Sequence, residues 1–387
     1  MLPAHLSSLP APAAAAAAHS ARLSRLIADE IAAAGGWISF ARYMELALHA
    51  PGLGYYSAGA RKFGIAGDFV TAPELGNLFG RTLARQAAQI LHEGITSIVE
   101  LGAGSGRLAC DLLAQLAMLE CLPQRYLILE TSADLRECQR LLLQREMPQL
   151  AARVAWLDAL PASLDALVIG NEVLDAMPVH VVKTRADGID ELGVRVTGGE
   201  FEWSAKPASG ALLTAATGLK LAPHYVTEIH LAAHAFARSL AASLNHGAAL
   251  LIDYGFAARE YYHPQRTTGT LMCHYRHHAH ADPLCLTGLQ DITAHVDFSA
   301  LAHAGTAAGL ELLGYTNQAQ FLINCGITDV LAATPAHHTS TYLPLAAQAH
   351  KLMSAAEMGE LFKVIALGKN LRTPLLGFAR GDKSHTL

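Results

Sequence analysis

At 387 residues the chain is long enough for two to three domains, or for one domain carrying insertions. Apolar residues make up 52% and charged residues 16%, which supplies a large core and excludes a disordered chain. The net charge of −5 gives no basic excess to grip a phosphate backbone, so no nucleic-acid partner is expected, and no apolar run reaches the ~18 residues of a membrane span.

Residues 1–20 are an Ala- and Pro-rich leader with no Lys or Arg ahead of the apolar stretch, which does not fit a secretory signal and predicts a frayed extension. A helical and loop-rich cap is expected over residues 21–94. It holds a helix at 22–34 closed by Gly35-Gly36, a second over 39–49 stopped by Ala50-Pro51-Gly52, and a Gly-rich loop running to Gly67-Asp68-Phe69. Thr71-Ala72-Pro73-Glu74 reads as a capping box opening a helix with Leu75, Leu78, Phe79, Leu83 and Ile90 on one face.

From residue 95 to 387 short apolar strands alternate with helices: strands at 98–101, 126–129, 154–157 and 166–169, helices at about 107–119 and 133–145. This βαβ alternation predicts an α/β fold with a doubly wound, mostly parallel sheet. Two insertions interrupt it, at 179–224 and 256–297; the first begins as a β-meander with turns at Asp187-Gly188 and Gly198-Gly199. A helix is expected over 226–244, closed by Asn245-His246-Gly247, then a buried strand ending in Asp253-Tyr254-Gly255. A further helix is expected near 298–309. Strands at 362–367 and 375–378 are expected to form an antiparallel hairpin at one sheet edge.

The sharpest chemical motif is Glu100-Leu101-Gly102-Ala103-Gly104-Ser105-Gly106, set between a strand and a helix. Glycines there let backbone approach a ligand beside free helix N–H groups. The dinucleotide fingerprint wants its last glycine at position 107, which is Arg107. The spacing therefore disfavours NAD and FAD and favours a nucleoside without a pyrophosphate, with S-adenosylmethionine the leading candidate. Glu130, ending the next strand, can accept both ribose hydroxyls. Asp158, after Trp156-Leu157, lies where an adenine amino group would sit, or else caps a helix. In Asn171-Glu172-Val173-Leu174-Asp175-Ala176-Met177-Pro178, one helical turn over 172–175 would place Glu172 and Asp175 on one face, able to hold and polarise a guanidinium. Cys273, His274, His277, His278, His280 and Cys285 crowd one segment, but their spacing matches no compact metal frame and no metal is expected. The six cysteines form no C-x-x-C pair and read as reduced core thiols.

Four blocks together resemble the MidA family of S-adenosylmethionine-dependent methyltransferases, which includes the mitochondrial complex I assembly arginine methyltransferase. They are residues 43–48 through Gly67-Asp68-Phe69-Val70-Thr71-Ala72-Pro73-Glu74, residues 100–106, residues 171–178, and Asp253-Tyr254-Gly255 with residues 290–298. The resemblance implies a class I methyltransferase fold with the N-terminal helices and the meander as additions. It implies S-adenosylmethionine on Gly102, Ala103, Gly104, Gly106, Glu130, Asp158 and Asn171, with Asp68 capping the site and Glu172 and Asp175 facing the acceptor. It also implies arginine methylation of a protein substrate, a respiratory complex I subunit or its homologue. The near-neutral pI and the absence of anchors suggest a bacterial cytoplasmic protein, with the Ala-rich leader leaving the mitochondrial matrix as the alternative. A non-catalytic assembly protein on the same scaffold, or a small-molecule methyltransferase, is the alternative reading.

Overall fold

In the computed structural model, which describes residues 9–57 and 71–387, contacts divide the chain into two units. One comprises Val70–Leu174, His234–Ala258 and Val296–Leu387. The other comprises Asp175–Ala233, Arg259–His295 and the described residues before Phe69. The division after residue 69 assigns helix Leu78–Leu91 to the first unit, rather than to a cap extending to residue 94.

The first unit is built on seven main strands, β1 (Ser97–Leu101), β2 (Arg125–Leu129), β3 (Val154–Leu157), β4 (Leu164–Asn171), β5 (Leu244–Phe256), β6 (Glu311–Asn317) and β7 (Phe362–Lys369). Their order is β3-β2-β1-β4-β5-β7-β6. Strands β1 to β5 pair in parallel, and β7 runs antiparallel to both β5 and β6. Interior strands read as unbroken apolar runs: Ala166, Leu167, Val168 and Ile169 of β4 and Ala248, Ala249 and Leu250 of β5 are fully buried. That is the pattern of parallel strands covered on both faces. The chain leaves β1 toward β2 and β3, then returns to the other side of β1 with β4. This reversal of strand order opens a crevice at the carboxyl ends of β1 and β4. Helices α1 (Leu78–Leu91), α2 (Arg107–Met118) and α3 (Ala133–Glu146) belong to the same unit. Leu78, Phe79, Leu83 and Ile90 of α1 and Leu108, Leu112 and Leu113 of α2 share one core with β1, β2 and β4.

The sheet edge differs from the expected hairpin. Residues 362–369 do form a strand, but its outer partner is β6, and Leu376–Phe378 is a short 3-10 turn. The amides there find side chains instead of a ladder: Leu376 N–H donates to Gln89 Oε1 and Gly377 N–H to Gln86 Oε1, each at 2.8 Å. The capping box also takes another form. Glu74 lies in a 3-10 turn whose preceding Thr71 makes no side-chain cap, and its carboxylate accepts a hydrogen bond from Ser105.

In the second unit the first helix spans Ala14–Ala33, starting inside the leader because an alanine run is the strongest helix former. Gly35 and Gly36, at φ +78° and +90°, close it as expected. Ser39 caps the next helix, Phe40–His49, by accepting from Arg42 N–H at 3.2 Å. The meander is present as antiparallel strands His180–Thr184, Ile189–Thr197 and Glu200–Pro207. Val226–Ile229 extends that sheet against 180–183, so the helix expected from 226 begins only at Leu231. The β-branched Val226, Thr227 and Ile229 suit the pleated surface, and tertiary pairing decides the segment. Glu228 of this strand is fully buried and accepts from Thr270 N–H, Thr270 Oγ1, Leu271 N–H and the Tyr261 hydroxyl. A carboxylate with that many donors is satisfied without solvent.

Candidate active site

The glycine turn follows β1 directly. Gly102, Gly104 and Gly106 all adopt positive φ, at +57°, +53° and +86°, a region that L side chains avoid. Gly102 N–H donates to Leu129 O at 2.9 Å, tying the turn to the end of β2, and Gly106 caps α2. A Cβ at Gly106 would stand 3.2 Å from Gln139 Cγ and 3.3 Å from Gln139 Cα. The close-packing role of a fingerprint's final glycine is thus taken at 106. Arg107 turns outward and grips both oxygens of Glu146 at 2.7 Å. Ahead of the turn, Glu100 is buried and receives the Tyr126 hydroxyl at 2.7 Å, and burial pushes its carboxyl up to about 7.

Glu130 directly follows β2 and is 7% exposed. Its Oε1 accepts from Ser132 N–H at 3.0 Å and its Oε2 from Gln139 Nε2 at 3.2 Å, while burial raises its carboxyl above the usual range. The same Gln139 amide donates to Gly104 O at 3.0 Å, and Trp156 of β3 donates its indole N–H to Gln139 Oε1 at 2.8 Å. Glu130, the glycine turn and Trp156 are therefore brought together by one buried side chain. Asp158 is not in that cluster: its side chain is 92% exposed and pairs with Arg136 at 2.8 Å.

Across the crevice, β4 ends in Asn171, Gly170 being in register with Leu101 of β1. Asn171 Nδ2 donates to Glu172 Oε1 at 2.9 Å, while Asn171 Oδ1 is buried with no hydrogen-bond partner among the described residues. Glu172 adopts φ +53°, an uncommon conformation for a side-chain-bearing residue. Three contacts impose it. Glu172 N–H donates to Ile252 O at 2.9 Å, and the fully buried Asp253 accepts through Oδ2 from Val173 N–H at 3.2 Å and Leu174 N–H at 2.9 Å. This left-handed residue corrects the expected helical turn over 172–175, because a right-handed turn cannot contain it and the i, i+3 face does not exist.

Asp175 falls in the second unit. There it is 5% exposed, and its carbonyl accepts from Ala294 N–H at 3.0 Å. In the same unit Tyr56 donates its hydroxyl to Asp291 Oδ1 at 2.8 Å, and burial with the Asp291 and Asp175 carboxylates pushes that phenol well above its ordinary range. Asp68 lies outside the described residues. Cys273 and His280 face each other in a small antiparallel sheet, and no group of His, Cys, Asp or Glu suited to a metal occurs among the described residues.

Gln139 and Asp253 escape a reading of the sequence for different reasons. A glutamine on a helix rich in Arg and Glu reads as solvated surface, so Gln139 gave no signal. Asp253 lies near the carboxyl end of a buried strand, where a ligand crevice belongs, and that position was a usable signal.

Parallel strands reversing at β1 and β4, a three-glycine turn at that point and a buried acid following β2 define a nucleoside-binding α/β domain. Residues 80–316 match a family model described as an S-adenosyl-L-methionine-dependent methyltransferase. A superfamily relative from Burkholderia thailandensis, crystallised with S-adenosyl-homocysteine, is 53% identical with a TM-score of 0.95 over 98% of this chain and 100% of that one. The protein arginine methyltransferase NDUFAF7 homolog of Caenorhabditis elegans is 28% identical, covering 79% of this chain and 76% of its own length. The mouse mitochondrial protein arginine methyltransferase NDUFAF7 is 29% identical, over 86% and 81%. The chain belongs to the MidA family of S-adenosylmethionine-dependent methyltransferases, and S-adenosylmethionine is its cofactor.

The residues present fit that cofactor. The positive-φ glycine turn leaves backbone bare where Cβ atoms would stand, and the buried Asn171 Oδ1 lacks a donor that an amino or hydroxyl group would supply.

Proposed function

We propose that the chain methylates an arginine of a protein substrate. The left-handed, hydrogen-bond-locked Glu172 at the carboxyl end of β4 carries this reading, because strain of that kind is retained where a side chain must be aimed. The names of the relatives, protein arginine methyltransferases at 28% and 29% identity, agree with it.

Bound S-adenosylmethionine supplies an electrophilic methyl group on a sulfonium. Gly102, Ala103, Gly104 and Gly106 would hold it through backbone, Glu130 through the ribose hydroxyls, and Asn171 through its buried carbonyl oxygen. A guanidinium has a pKa above ~12 and attacks poorly until a carboxylate orients one nitrogen and receives its proton. The Glu172 carboxylate is assigned that task.

Incubating the protein with methyl-tritiated S-adenosylmethionine and arginine-containing proteins of a bacterial lysate is expected to put the label into methylarginine on acid hydrolysis. Label confined to small molecules, to other amino acids, or absent altogether would reject an arginine acceptor. Gly106→Val is expected to weaken S-adenosyl-homocysteine binding by about 10-fold or more, since the positive φ alone costs ~1–2 kcal/mol and the added carbons meet Gln139. Calorimetric titration checks this, and wild-type affinity would remove the turn from the cofactor site.

A further inference from the structure

We propose that Gln139 is the positioning residue of the cofactor site: its side-chain amide fixes the ribose acid Glu130 to the glycine turn, and the Trp156 indole fixes which way that amide points. The proposal rests on reading Glu130 as the ribose acceptor.

An indole N–H can only donate, so the atom 2.8 Å from Trp156 Nε1 must be the amide oxygen of Gln139. The amide nitrogen then necessarily faces the other way. It has two hydrogens and two acceptors, Gly104 O at 3.0 Å and Glu130 Oε2 at 3.2 Å, so neither donor is left over. The side chain is fully buried, where such a network is worth more than its parts and a flipped amide would set oxygen against both a carboxylate and a carbonyl. The bare Gly106 Cα is what lets α3 bring Gln139 this close. Strands β1, β2 and β3 thus each contribute one member to a single pre-set geometry: Gly104 after β1, Glu130 after β2 and Trp156 within β3. Gln139 acts through Glu130.

The charge state of Glu130 provides a readout that simple packing does not. Burial raises its carboxyl, while Gln139, Ser132 and the neighbouring Arg136 favour the ionised form, and Glu100 lies near enough to be coupled to it. Ribose hydroxyls need an ionised acceptor, so affinity falls as the pH drops through the Glu130 range. Loss of the Gln139 donor moves that range upward.

The test titrates full-length protein calorimetrically with S-adenosyl-homocysteine from about pH 4.5, the ordinary carboxylate range, up to about pH 8, as wild type, Gln139→Leu, Trp156→Phe and Glu130→Gln. Gln139→Leu is expected to weaken binding about 10- to 100-fold, as loss of a hydrogen bond to a charged group does, with the deficit widening toward low pH. Trp156→Phe keeps the ring and is expected to lose about 3- to 10-fold, a neutral hydrogen bond, with the same pH trend. A deficit equal at all pH values, or none, would overturn the proposal, and Trp156→Phe alone decides it should the leucine variant not fold. Glu130→Gln separates the two layers. If it binds like wild type, the ribose assignment fails and the proposal with it. If it weakens binding while the Gln139 and Trp156 variants do not, the proposal alone fails.

Discussion

Glu172→Gln is expected to lower kcat by about 10²- to 10³-fold, the cost of removing one group that acts on developing charge, while S-adenosyl-homocysteine affinity stays within about twofold. The substitution preserves shape and the hydrogen bond from Asn171 Nδ2 to position 172, and leaves the backbone anchor to Ile252 O untouched. What it removes is the negative charge and the capacity to take a proton. Single-turnover transfer of a tritiated methyl group, beside a binding isotherm, separates the two effects. Transfer at the wild-type rate would take Glu172 out of the reaction, and a parallel loss of cofactor binding would make it a ligand-site residue.

Asp253→Ala is expected to have the largest effect on stability. The carboxylate is fully buried and accepts from the N–H groups of Val173, Leu174 and Tyr254. Its removal strands three donors, that of Leu174 buried and those of Val173 and Tyr254 partly so, at ~1–3 kcal/mol each, so a loss on the order of 4 kcal/mol follows. At about 2–4 °C per kcal/mol for a unit of this size, the unfolding midpoint drops by on the order of 10 °C. Asp253→Asn keeps one acceptor oxygen and is expected to fall between. In both variants the turn that holds Glu172 left-handed slackens, so methyl transfer is expected to fall further than the folded fraction does. Calorimetric melting with activity measured well below the midpoint checks this. A midpoint within about 2 °C of wild type, less than 1 kcal/mol, would show that the turn is held by other contacts.

Local patterning and the site's position in the fold were legible to different degrees. Strands β1 to β4 and their helices were readable because each is a short apolar run bounded by a glycine turn or a cap, and Glu130 and the glycine turn followed from strand ends. The segments that resisted are those decided by distant partners. Val226–Ile229 is a strand because residues 180–183 pair with it, and β6 owes its place to β7 rather than to any local motif. Glu172 was singled out as a candidate by residue type, but its conformation was not legible. The left-handed turn depends on Asp253, eighty residues on, which no period of 3.6 or 2 encodes. Gln139 was invisible for the same reason: its partners Gly104, Glu130 and Trp156 converge only in three dimensions.

The place of β7 bears on synthesis. It follows the other main strands of this sheet in chain order, yet it lies inside the sheet, with residues 247–254 of β5 on one side and β6 on the other. A nascent chain still lacking residues 362–369 presents two open ladder edges, one of them lined by Ala248, Leu250 and Ile252. Such edges invite pairing with neighbouring chains. A chain released before residue 362 is thus an aggregation hazard rather than a trimmed enzyme, and chaperone demand should persist until residues 362–369 are made.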